Sequence, residues 1–127
     1  MIISRVSFLP KENFNIELFK EALSKFLGKH DFRNFTSKEE DIDDYLRDIR
    51  RAELIDKGNG LYSVFLESNG FMRYMVRMII GTCFKIAYGK LDISIIDELF
   101  SRKEKHAINY KAEPDGLYLV EVKYVSY

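Results

Sequence analysis

The stretch Gly70-Phe71-Met72-Arg73-Tyr74-Met75-Val76-Arg77-Met78-Ile79-Ile80-Gly81 constrains the fold of this chain more than any other segment. It is apolar on nearly every side, and its continuation to Tyr88 and Gly89 predicts a helix over residues 70–88 whose faces call for burial. Arg73 and Arg77 interrupt it four residues apart, a spacing that would put two permanent charges on one side of that helix. An arginine does not shed its proton to suit an apolar site, so a buried one requires a carboxylate or a phosphate. On these residues alone, the equally open alternative is that both reach solvent along their apolar stems.

The chain has 127 residues, 46% of them hydrophobic, enough for one domain with a proper core. The longest uncharged run in the apolar helix, Met78 to Phe84, is too short to cross a bilayer, so no membrane partner is expected. Met1-Ile2-Ile3-Ser4-Arg5 is neither a secretory nor a transit signal, and a lone cysteine suits a reducing cytoplasm. The single cysteine, Cys83, falls inside the apolar helix and reads as a small core residue. His30, Cys83 and His106 share no metal-ligand spacing, so no metal site is expected.

Along the chain, Ile2 to Phe8 reads as a strand, and a domain that begins so abruptly in a strand looks truncated. A helix is predicted over 16–27: Asn15 caps it, Phe14 and Phe19 form a hydrophobic staple, and Gly28 closes it. Residues 36–44 read as a loop. The stretch 41–55 has helical spacing at Ile42, Tyr45, Leu46 and Ile49, but the turn at 56–60 followed by a strand at 61–68 demands a partner strand around 47–55. The hairpin is preferred. A further helix is predicted at 93–102, capped by Asp92. A final strand is predicted at 117–124, with Tyr118, Val120, Val122 and Tyr124 lining one face. The expected fold class is α+β, an antiparallel sheet with helices packed on one face.

Three segments together resemble the TruA-type tRNA pseudouridine synthases. Gly28-Lys29-His30-Asp31-Phe32-Arg33-Asn34-Phe35 is similar to that family's G-x-H-D-F-x-x-F element. Gly70 to Gly81 resembles its G-F-x-x-x-M-V-R-x-x-x-G helix, and Ala112 to Tyr124 its closing A-x-x-x-G-L-Y-L-x-x-V-x-Y strand. Order and spacing agree over residues 28–124.

The resemblance implies an enzyme that turns uridine into pseudouridine in the anticodon stem-loop of tRNA, without cofactor or metal. The family's nucleophilic aspartate lies in an Arg-Thr-Asp-x-Gly-x-His motif in the N-terminal half, and this chain holds no such motif. The chain therefore resembles the C-terminal half, inactive alone, with the missing N-terminal half of the same enzyme as a partner. Arg77 matches the arginine that pairs with the nucleophile, and Leu117 matches the apolar floor of the uracil pocket. Family members act as homodimers, so a homo-oligomer is implied, and a truncated sheet is expected to self-associate.

Candidate RNA contacts are Lys38, Arg47, Arg50, Arg102, Lys103, Lys105 and His30. Glu39, Glu40, Asp41, Asp43 and Asp44 would repel phosphate beside Lys38. The basic stretch from Arg102 to Lys111 is electrostatically the better surface. His30 and Asp31 also suit structural roles, orienting a turn and capping backbone amides. With 20 basic and 20 acidic side chains, net charge argues mildly against nucleic acid. A non-catalytic ferredoxin-like RNA-binding module and a protein-interaction domain are the alternative readings.

Overall fold

Two-residue alternation organises the first strand. In β1 (Ile2–Pro10), Val6 and Phe8 enter the core while Arg5 and Leu9, on the alternate positions, are exposed. The computed structural model describes the backbone of residues 1–36, 44–102 and 117–126, and side chains for 1–36 and 44–102. After β1 come α1 (Ile16–Ser24), β2 (Gly28–Asp31), a 3₁₀ turn (Arg33–Phe35), β3 (Leu46–Gly58) and β4 (Leu61–Ser68). α2 (Met75–Ala87), α3 (Ser94–Ser101) and β5 (Leu117–Ser126) complete the chain. The sheet has five strands in the order β2-β3-β4-β1-β5, every pair antiparallel. One face carries the helices, giving the expected α+β architecture.

Local chemistry explains most boundaries. Asn15 Oδ1 accepts the Leu18 amide at 3.0 Å, and Phe14 packs on Phe19 with ring centroids 5.4 Å apart, the expected cap and staple of α1. The helix proper ends at Ser24, short of the expected residue 27. The amides of Lys25, Phe26 and Leu27 turn back to the carbonyls of Ala22, Leu23 and Ser24, a tighter winding that delivers the chain to Gly28 at φ 98°. The β3–β4 hairpin closes through Asn59 (φ 56°) and Gly60 (φ 79°), the left-handed pair of a two-residue turn. The helical spacing of Tyr45, Leu46 and Ile49 gives way to β3, which begins at Leu46 and pairs antiparallel with β4 from Ile49 onward, while Ile42 lies outside the described residues.

Between sheet and helices lies an aromatic core. Phe8 meets Phe84 edge-on at 5.0 Å and Phe19 at 5.4 Å, tying β1 to α2 and α1. A second cluster, Phe26, Phe32, Phe35 and Phe100, joins α3 to the 3₁₀ turn. Asn34 Nδ2 donates to the Leu99 carbonyl at 3.0 Å, satisfying a free acceptor in the last turn of α3.

Two expectations are corrected. The apolar helix starts at Met75 rather than Gly70, because Tyr74 adopts a left-handed conformation at φ 60°. The Arg73 carbonyl accepts Thr36 Oγ1 at 2.8 Å instead of joining a helical ladder, so Arg73 and Arg77 do not share one helix face. In β5 the register shifts opposite Ser7 and Phe8: Tyr118 pairs with Leu9, whereas Val122 and Tyr124 pair with Val6 and Ser4. Tyr118 thus occupies the opposite parity from Val122 and Tyr124, and the expected four-residue row is broken.

Candidate active site around Arg77

α2 is buried along almost its whole surface, with Met75, Ile79 and Ile86 fully enclosed. Arg77 stands in its first turn, the one guanidinium on this helix. Its Nε is buried and has no hydrogen-bond partner, and no described residue forms an ion pair with it. The other arginines offer a contrast: Arg33 pairs with Asp31 at 2.8 Å, Arg51 with Glu53 at 3.1 Å, and Arg102 with Glu98. Leaving a buried donor unpaired costs about 1–3 kcal/mol, more for a charged group. Arg77 as a whole is half-buried, so it is the Nε in particular that is shut away without an acceptor; a guanidinium fork can take a carboxylate in two-point contact.

One other buried side-chain atom among the described residues shares this condition. Ser4 is fully buried, and its Oγ has no partner. Sequence reasoning passed over Ser4, since a serine in a strand carries no signal of its own; only its burial does.

The remaining predicted site residues are dispersed. The His30 ring stacks on Phe100, and its Nε2 bonds the Leu27 carbonyl at 2.7 Å, a structural engagement. Asp31 accepts the Arg33 amide at 3.0 Å and holds its side chain, and this pairing raises the Arg33 pKa. Arg47 Nη1 donates to the carbonyls of Asp44 and Leu46, at 3.2 and 2.8 Å, on the surface. Arg50 is bonded to Asp48. Leu117 opens β5 at the register position opposite Pro10, next to β1. Lys38, Lys103 and Lys105 lie outside the described residues, as do most of the acidic and basic runs that contain them. No group of three His, Cys, Asp or Glu side chains suited to a metal gathers among the described residues, and none of their helices is long and apolar enough to cross a membrane.

Residues 22–125 match the family described as tRNA pseudouridine synthase. This chain belongs to that family. Relatives named tRNA pseudouridine synthase A include one from Lactococcus lactis subsp. cremoris strain SK11, 37% identical over 110 residues, covering 87% of this chain and 44% of the relative. Another, from Geobacillus sp. strain WCH70, is 36% identical over 110 residues, with the same coverage of 87% and 44%. A tRNA pseudouridine synthase A 2 of Bacillus cereus is 30% identical over 120 residues, 94% of this chain and 49% of the relative. The chain thus spans about half the length of the curated synthases it matches. Arg77 and the Gly28–Phe35 element both fall inside the matched region.

Proposed function

We propose that this chain is the C-terminal half of a TruA-type tRNA pseudouridine synthase and that, joined by the N-terminal half, it isomerises uridine to pseudouridine in the anticodon stem-loop of tRNA. The observation that carries this reading is the buried Arg77 Nε with no partner. A nucleophilic aspartate supplied by the other half would complete the ion pair. Arg77 would hold that carboxylate ionised and aim it, because an adjacent guanidinium favours the charged form. The reaction needs an ionised nucleophile while the bond from uracil nitrogen to ribose breaks, the ring rotates, and a bond from carbon 5 to ribose forms, that carbon losing its proton and the freed ring nitrogen gaining one. By resemblance, Leu117 lies beneath the uracil and excludes water. The chemistry of the isomerisation calls for no redox or metal step.

The basic side chains Lys103, Lys105 and Arg102 are assigned to the tRNA backbone, with Lys38, Arg47 and His30 as secondary contacts. The assembled enzyme is a homo-oligomer in the cytoplasm. The chain alone is inactive.

The test is complementation. The chain is co-expressed with the N-terminal half of the L. lactis relative, and tritium release from tRNA carrying 5-tritiated uridine is followed. The pair is expected to turn over and the chain alone is not. Arg77→Ala is expected to lower the rate of the pair by at least about 100-fold. Turnover by the chain alone, or an undiminished rate in R77A, would overturn the reading.

A further inference from the structure

We propose that Ser4 is a positioning residue of the same site: its hydroxyl is a second donor to the acidic group that Arg77 binds. The proposal rests on the reading above and adds a residue from a different element, the strand beneath the helix.

The geometry follows from how α2 lies on β1. α2 ends beside the end of β1: the Ala87 carbonyl accepts the Asn15 amide, and the Tyr88 hydroxyl accepts the amide of Lys11, the residue after β1. α2 begins after Ser68, which pairs with Ile2 at the start of β1. Helix and strand therefore run in the same direction. Phe84 packs on Phe8 at 5.0 Å and pins the two at one level. Arg77 precedes Phe84 by seven residues, two turns along the same stripe of the helix, about 10.5 Å back. Ser4 precedes Phe8 by four residues on the same side of β1, about 13 Å back. Arg77 and Ser4 consequently occupy neighbouring levels of the layer between α2 and β1.

Both hold a buried polar atom without a partner, and they do not bond each other. A fully buried hydroxyl in a strand ordinarily finds a carbonyl or a neighbouring side chain, as Ser7 and Ser63 find each other at 2.7 Å on the other face. Two such atoms at neighbouring levels of one layer are most simply satisfied by one acceptor lying between them. A carboxylate has two oxygens with room for several donors, so it can take the guanidinium and the hydroxyl together.

The test uses the whole chain, with formate as the carboxylate probe, against chloride at equal ionic strength. In chloride, Ser4→Ala is expected to raise the melting temperature by about 3 °C, since a hydroxyl without a partner is removed. Formate is expected to raise the melting temperature of the wild type and of Ser4→Thr, and that of S4A by less than half as much. An S4A variant that melts at or below the wild-type temperature in chloride would overturn the proposal. So would a formate response equal in S4A and wild type, or absent from the wild type. Arg77→Met separates the two claims. If R77M keeps the full response while S4A loses it, the role given to Arg77 fails and the shared site fails with it. If R77M loses it and S4A keeps it, only Ser4 is removed.

Discussion

The imidazole of His30 lies flat on the ring of Phe100, with centroids 4.2 Å apart and planes 9° from parallel. Because Nε2 is bonded to the Leu27 carbonyl, the ring is held as a donor there and cannot turn away without losing both contacts. This stack clamps β2 to α3, elements far apart in sequence. His30→Ala is expected to cost roughly 1 kcal/mol in urea unfolding, and Phe100→Ala more, because Phe100 also packs on Phe26, Phe32 and Phe35. The double variant should cost less than the sum of the two.

Arg77→Met should stabilise the isolated chain by about 1 kcal/mol, since an apolar side chain of similar length replaces a buried donor without a partner. Urea unfolding measures this directly. A loss of stability would mean that the guanidinium already has a favourable setting within the chain.

Cys83 is fully buried, and burial pushes its thiol far above the ordinary cysteine range. At pH 8 it should resist a thiol reagent in the native protein and react at once in denaturant. The native labelling rate should then track global opening rather than local access, so any variant that destabilises the core should accelerate it.

Asp92 Oδ1 accepts the Ser94 amide at 2.9 Å at the start of α3, and the amide bond, with help from the Ser94 hydroxyl, lowers its pKa. A group whose folded pKa is depressed stabilises the fold above its unfolded value and loses that contribution as pH falls through the folded one. Asp92→Asn should therefore melt with a shallower dependence on pH below about 4 than the wild type. Melting curves at pH 6 should differ much less in their response to acid.

Much of the fold was readable from local chemistry. Asn15 with Phe14 and Phe19 marked the start of α1, and Asn59-Gly60 between apolar runs marked the hairpin, because these signals act within a few residues. β2 escaped notice because four residues are too few for a period to show. The start of α2 was misplaced because Arg73 fits the helical spacing in sequence, while a hydrogen bond from Thr36, far away in the chain, takes its carbonyl elsewhere. The shift in β5 is likewise a property of pairing with β1, invisible in alternation alone. At the site, two arginines in an apolar run drew attention to the segment and the family resemblance singled out Arg77, whereas only burial could point to Ser4.

The sheet order carries a consequence for biogenesis. β1, near the beginning of the chain, is flanked by β4 and β5, the latter from the opposite extremity of the sequence. One margin of β1 must therefore stay bare while the ribosome makes some hundred further residues. The nascent chain has to carry that exposed margin until β5 emerges, the interval in which a chaperone or a neighbouring polypeptide would compete for it.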